Sequence, residues 1–384
     1  MARIPPQRHL FDIPDAVAYF NCAYHGPQLN RSRERLIAGM QQSSHPWERT
    51  PVTFFEDAET LRRLAAELFG GDDNSYAVVP AVSYGVSTAA RAIEPRLQRG
   101  DTVLLVAEDF PSNVLPWRRV ARETGVNLKT VATPADGDWT RAILHCIDAK
   151  IKVVSTSTCH WTNGARIDLL PISQACRDSG AILIVDATQS LGVMPLSVDV
   201  LRPDFLVAAS YKWMLGPYGC GLLYVAEHWR NSRPLEESWL ARSNAEDFTS
   251  LANYSDEYLP GARRFDVGEK GSRTVLPAAI AALEQLKTWG IANIAESLAA
   301  INAELIGSLE QLGFTLSAAA QRCPHLFGAR LPERYAGNLV AELKARHLYI
   351  SQRGNSLRFA PHLHITENDL RRLTGALRDL VGAR

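Results

Sequence analysis

The chain has no net charge, because 41 lysines and arginines are matched by 41 aspartates and glutamates across 384 residues. No whole-chain field is available to gather nucleic acid or an anionic membrane surface, which leaves a small molecule as the favoured partner. Paired cysteines are also missing. The six thiols, at 22, 146, 159, 176, 220 and 323, form no Cys-x-x-Cys, and several lie in apolar runs where a free thiol behaves as a small hydrophobe. A reduced compartment is the expectation. The first residues, Met-Ala-Arg-Ile-Pro-Pro-Gln-Arg-His, have no apolar signal-peptide core, and no stretch of about 18 apolar residues occurs, so the chain reads as cytoplasmic. Neither an internal repeat nor a low-complexity segment is found, which argues against solenoids and repeat arrays.

What is present is a series of short runs rich in Val, Ile and Leu, at 102–106, 151–155, 181–185, 205–209 and 221–225. Continuous apolar runs, without alternation, are the mark of parallel strands buried on both faces. Helical patterns at 113–124 and 170–179 lie between them, and the alternation predicts an α/β fold with a large, doubly wound, mostly parallel sheet. Beyond about residue 275 the texture changes. Helical periodicity at 277–288 and 292–312 is followed by strand candidates at 325–331, 347–352 and 356–360 and a last helix at 367–381, which predicts a smaller α+β C-terminal domain. The expected division is 1–25 as a segment entering the active site, 26–275 as the large domain and 276–384 as the small one. The stretch 230–263 reads as an irregular excursion.

The chemically informative block runs from Ile184-Val185-Asp186-Ala187-Thr188-Gln189 to Ala209-Ser210-Tyr211-Lys212-Trp213. A carboxylate at the end of a buried strand costs desolvation free energy unless a cation or donors compensate it. A protonated pyridine nitrogen would do so, and pyridoxal 5′-phosphate acts as an electron sink only if its ring nitrogen keeps that proton. Lys212 follows the next strand and precedes Trp213-Met214-Leu215-Gly216-Pro217, a poor setting for a surface lysine. Its amine would carry the cofactor as a Schiff base and later move the α-proton. Taken singly, Asp186 is more readily a helix or turn cap and Lys212 solvated surface; their joint setting favours chemistry. A phosphate site is sought in Val79-Pro80-Ala81-Val82-Ser83-Tyr84-Gly85, where a loop enters a helix. Ser83 and the backbone N–H groups of Val82 to Tyr84 would hold the anion, although an ordinary N-cap has the same look. The run Gly216 to Gly221 leads into a strand, so it is read as a tight turn and not as a dinucleotide loop.

In these residues the sequence resembles the class V aminotransferase family of fold-type I pyridoxal-phosphate enzymes, which includes cysteine desulfurases, kynureninases and isopenicillin N epimerase-like proteins. The resemblance rests on Asp-Ala-Thr-Gln at 186–189, Ser-Tyr-Lys at 210–212 and Gly-Pro-x-Gly at 216–219. It implies that Gln189 contacts the cofactor's 3′-oxygen, that Tyr211 reaches its phosphate and that Phe110 stacks on its ring. Trp161 falls near a position that contacts cofactor or substrate, with His160 as an alternative. Arg358 matches an arginine that grips the substrate α-carboxylate, for which a planar fork is suited. Tyr24 and His25 become candidate substrate contacts. The loop 264–271, with Glu269 and Lys270, matches one that reaches the neighbouring subunit's cofactor phosphate, implying a homodimer with shared active sites.

Desulfurases need a mobile cysteine before that arginine, and the stretch Gln352 to Leu357 has none. The remaining outcomes on a small amino acid are aminotransferase-like or lyase-like chemistry, with an epimerase-like reaction as the alternative. Two readings from other classes stand beside these. A metal-dependent hydrolase would use His362-Leu363-His364, but no acidic residue accompanies the pair at ligand spacing, so no metal is expected. A non-catalytic binding protein would be expected to have lost Lys212, which is present.

Overall fold

The computed structural model describes residues 3–382; residues 1–2 and 383–384, the tips of the first and last expected segments, lie outside them. A two-residue strand, Ala18–Tyr19 (β1), is followed by the seven strands of the large sheet: Tyr76–Val79 (β2), Thr102–Val106 (β3), Asn127–Val131 (β4), Ile151–Ser157 (β5), Ile182–Asp186 (β6), Phe205–Ala209 (β7) and Gly221–Val225 (β8). Their spatial order is β2-β8-β7-β6-β5-β3-β4. Successive strand residues face opposite ways, and the apolar runs serve two cores at once. Leu104, Val106, Leu183, Val185, Leu206 and Ala208 enter one cluster with the helices Glu56–Phe69 and Val275–Trp289, whereas Val103, Leu105, Ile184, Phe205 and Val207 enter another with the helices Val82–Ile93 and Pro111–Thr124. Helices on both faces of the sheet explain why these runs do not alternate.

The expected parallel strands agree closely with β3, β5, β6 and β7, but β8 runs antiparallel to both β7 and β2. That corrects the reading of 221–225. Residues 210–220 are too few to carry a crossover helix, and a parallel return needs a dozen residues or more. Two strands have no counterpart among the apolar runs: β2 has only four residues, and β4, at the sheet edge, is half-exposed and spelled Asn-Leu-Lys-Thr-Val.

The C-terminal part holds Thr315–Leu316 (β9), Phe327–Arg330 (β10), Leu348–Tyr349 (β11), Ser351–Arg353 (β12) and Ser356–Phe359 (β13). Four of these form an antiparallel sheet in the order β12-β13-β10-β9, and β11 pairs in parallel with β1. The N-terminal segment is stitched to this part: Ala18 and Phe20 lie in its core, Cys22 donates to the Ala360 carbonyl, and Ala360 donates back to that of Phe20. The long helices run Val275–Trp289 and Ile291–Gln311, within a residue or two of expectation, while the last α-helix stops at Leu377 and widens into a π turn over Arg378–Gly382. Residues 230–263 are irregular apart from short 3-10 turns.

Candidate active site

The carboxyl ends of the parallel strands β3, β5, β6 and β7 deliver Asp109 and Phe110, Trp161, Asp186 and Lys212 to one edge of the large sheet, where open α/β sheets place their ligands. Between β7 and β8 the chain closes a tight loop, with Ser210 donating to the Cys220 carbonyl at 2.9 Å and Gly216 to the Ser210 carbonyl at 2.9 Å. A Cβ on Gly216 would lie 2.7 Å from the Ser210 side chain, so this turn requires glycine. The N-terminal segment clamps the loop from above. Gly26 donates to the Tyr211 carbonyl at 2.8 Å, and a Cβ there would stand 2.1 Å from the Lys212 carbonyl oxygen.

Lys212 is held by this backbone while its amine stays free of any hydrogen bond or ion pair among the described residues. It is only 9% exposed. Burial pushes its pKa down to about 8; Asp186 opposes the shift, and Arg358 and Arg353 add to it. The amine stands 5.7 Å from the Phe110 ring centre and 5.8 Å from that of Tyr211.

Asp186 is buried, with Oδ1 accepting from the Thr188 N–H at 2.9 Å and Oδ2 from Asn113 Nδ2 at 2.9 Å. A carboxylate has about four lone-pair sites, so acceptor capacity remains for a further donor. Asn113, in the first turn of the helix Pro111–Thr124, also donates to Asp109 Oδ1 at 3.1 Å. Burial, with the Asp186 charge second, pushes the Asp109 carboxyl up to about 7. Neither Asn113 nor Asp109 stands out in the sequence. The available signal is a polar residue following Phe110-Pro111, where the helix start faces inward.

The helix Val82–Ile93 begins with no side-chain cap, and the N–H groups of Val82, Ser83 and Tyr84 precede the first intrahelical acceptor. The Ser83 side chain is exposed. Across the site, Arg358 on β13 is 1% exposed, donates through Nε to Ser351 Oγ at 3.1 Å and through Nη1 to the Trp161 carbonyl at 2.6 Å. Its Nη2 is buried without a partner, and burial lowers the guanidinium to about 10. The Trp161 indole donates to the Glu108 carbonyl at 2.7 Å and meets Phe110 edge-on at 5.5 Å. His25 lies against Tyr211 at 5.1 Å, beside an exposed Tyr24.

Other expected contacts already have partners within the chain, apart from Glu269. Gln189 Nε2 donates to the Ala23 carbonyl at 3.1 Å and its Oε1 accepts from Trp213 at 2.9 Å, so this amide joins the N-terminal segment to the lysine loop. Lys270 is buried and donates to Asp266 in its own chain at 2.9 Å, while Glu269 is exposed. His160 stacks on Trp139, donates through Nε2 to the Ala107 carbonyl at 3.0 Å and meets the Thr162 hydroxyl with Nδ1 at 2.7 Å, a structural setting. Burial drives His362 and His364 down to about 3 and 4, and among the described residues no group of three His, Cys, Asp or Glu is arranged to hold a metal ion.

A buried carboxylate with spare acceptor capacity, an unpaired buried amine, an aromatic face beside it and free helix amides fit the ring nitrogen, aldehyde, ring plane and phosphate of pyridoxal phosphate. Comparison with known proteins points the same way. The family model described as aminotransferase class-V matches residues 48–357. An uncharacterized aminotransferase, YcbU of Bacillus subtilis, is 26% identical over 330 residues, covering 82% of each chain. Isopenicillin N epimerase of Streptomyces clavuligerus is 25% identical over 276 residues, 69% of this chain and 67% of its own. Among solved structures, an apo cysteine desulfurase from Thermococcus onnurineus superposes with a TM-score of 0.84 at 17% identity over the whole of both chains. A lysine-to-alanine mutant of C-DES, with glycine covalently linked to its pyridoxal-phosphate cofactor, gives 0.85 at 21% identity, covering 98% of this chain and all of the other.

Proposed function

The chain belongs to the aminotransferase class-V family of pyridoxal-phosphate enzymes, and from that premise we propose that it acts on a small amino acid through Lys212, by aminotransferase-like or lyase-like chemistry. The observation that carries this reading is the buried, unpaired Lys212 amine, whose pKa of about 8 leaves a nucleophilic fraction near neutrality. Bound there, pyridoxal phosphate supplies an electron sink for a bond broken at the substrate's α-carbon. Asp186, oriented by Asn113 and Thr188, keeps the proton on the ring nitrogen. The free amides at 82–84, with Ser83, hold the phosphate, and Phe110 covers the ring. Arg358 would take the α-carboxylate with its unpartnered Nη2, and the Lys212 amine would move the α-proton. Persulfide chemistry is left out: the β12–β13 hairpin carries no cysteine, and burial raises the nearby Cys159 thiol far above its ordinary range. The likeness to isopenicillin N epimerase favours an epimerase as the second reading. A homodimer whose 264–271 loop approaches the neighbouring site belongs to the same proposal.

The purified protein should be yellow. Lys212→Ala should leave no cofactor that borohydride can fix to the chain and lower turnover about 10²- to 10⁴-fold; a colourless wild type that takes up no added pyridoxal phosphate would reject the reading. Incubating an amino-acid panel with and without a 2-oxo acid then separates the reactions. Amino transfer needs the acceptor, elimination releases ammonia without it, and epimerisation alters chirality alone.

A further inference from the structure

The proposed site uses one arginine, yet two face it. In the antiparallel pairing of β12 with β13, Ser351 lies opposite Arg358 and Arg353 opposite Ser356. Cross-strand partners share a face, and residues two apart on a strand share one as well, so Arg353, Ser351, Ser356 and Arg358 all project to the same side. The hydrogen bond from Arg358 to Ser351 fits that register. Both guanidiniums also flank Trp161, Arg358 on its carbonyl at 2.6 Å and Arg353 at 5.7 Å from its ring centre.

Among the described residues no carboxylate forms an ion pair with either arginine. Arg353 donates only to a backbone carbonyl, that of Gln352 at 2.7 Å, and Arg358 retains a buried orphan nitrogen. Arg353 is close enough to disfavour the charged forms of both Lys212 and Arg358. Lys212, Arg358 and Arg353 therefore converge as three cations on a site whose deep carboxylate, Asp186, is reserved for the ring nitrogen. An α-carboxylate answers only one of the two guanidiniums.

We propose that the substrate is an amino acid with a second anionic group on its side chain, a carboxylate or a sulfur oxyacid, received by Arg353 while Arg358 takes the α-carboxylate. The proposal rests on the assignment of Arg358 above and narrows the substrate class of the same site. A planar fork on the rim suits such a group, and because Arg353 is partly exposed its charge is tolerated in the empty site. A neutral side chain would leave the Arg353 charge unanswered.

Calorimetric titration of the protein with succinate and glutarate, against succinamate and glutaramate, tests this with and without added pyridoxal phosphate. At least one diacid should bind tenfold or more tightly than its monoamide. Arg353→Gln should bring that ratio to within about twofold, Arg353→Lys should restore part of it, and Arg358→Gln should weaken diacid and monoamide together. Equal binding of diacid and monoamide, or a preference that survives Arg353→Gln, overturns the proposal. Cofactor uptake, read by colour in the same samples, reports separately on the reading of Lys212.

Discussion

Among the described residues one cluster of buried charge is closed and another is open. In the first, Asp266 Oδ2 receives Arg62 at 2.6 Å and Lys270 at 2.9 Å, its Oδ1 receives the Val78 N–H at 2.8 Å, and Arg62 reaches on to the Tyr76 carbonyl at 2.5 Å and to Glu59 at 3.1 Å. Burial alone would raise the Asp266 carboxyl, but Arg62 and Lys270 together hold it below its ordinary value. In the second, burial lowers both Lys212 and Arg358, and Asp186 stops short of an ion pair with either. Interiors that serve only stability satisfy their charges, because an unpaired one costs several kcal/mol. Charges left unsatisfied at the edge of a sheet mark where a ligand completes the set.

The sharpest way to break this contrast is to delete one member of each cluster. Asp266→Asn strands two buried cations and should cost about 3–5 kcal/mol in urea unfolding. Lys212→Met removes a cation that nothing neutralises and should leave the cofactor-free protein as stable as before or more so. Equal losses in the two variants would erase the distinction.

A second effect of similar origin is readable from pH. The folded-state pKa of Lys212 is lowered from 10.5 to about 8, so the unfolded chain binds its proton more tightly. Stability therefore rises with pH between these two values and is unaffected by this group below or above them. At about 1.4 kcal/mol per unit, the cofactor-free wild type should gain up to about 3 kcal/mol over Lys212→Met from pH 8 to pH 10.5. Parallel curves for the two proteins would mean that the amine is not desolvated.

How much of this contrast is visible in the sequence follows from what each cluster is made of. The strands β3, β5, β6 and β7 are legible because two-sided burial writes itself as unbroken Val, Ile and Leu. Lys212 and Asp186 stand out together because a charge set against such runs is costly and demands a reason, whereas Arg358 is legible only through the resemblance. The direction of β8 is hidden in the pattern of its residues, although the short 210–220 loop holds the information. Lys270 reads as a contact to a neighbouring subunit's phosphate; within its own chain its side chain closes a salt bridge with the carboxylate four residues before it. Spacing cannot tell an ion pair within a loop from a contact across subunits. Gln189 is expected at the cofactor, and its amide also bridges Ala23 and Trp213, a tertiary clamp that no local pattern records.

Asn113 escapes the sequence for a related reason: its role exists only because two carboxyls from different strands converge on one amide. Both acceptors demand its NH₂ group, which fixes the orientation of the amide and, through it, of Asp186. Asn113→Leu should loosen that orientation and set Asp109 and Asp186 against each other without a shared donor. Lost charge-assisted bonding of this kind predicts about a tenfold weaker uptake of pyridoxal phosphate by the cofactor-free protein, followed by absorbance. Its effect on unfolding should stay well below that of Asp266→Asn, because Asp109, pushed up to about 7, can take up a proton in place of the missing partner. A stability loss as large as that of Asp266→Asn, with cofactor affinity intact, would move Asn113 and Asp186 into the closed class and leave Lys212 and Arg358 as the whole of the open one.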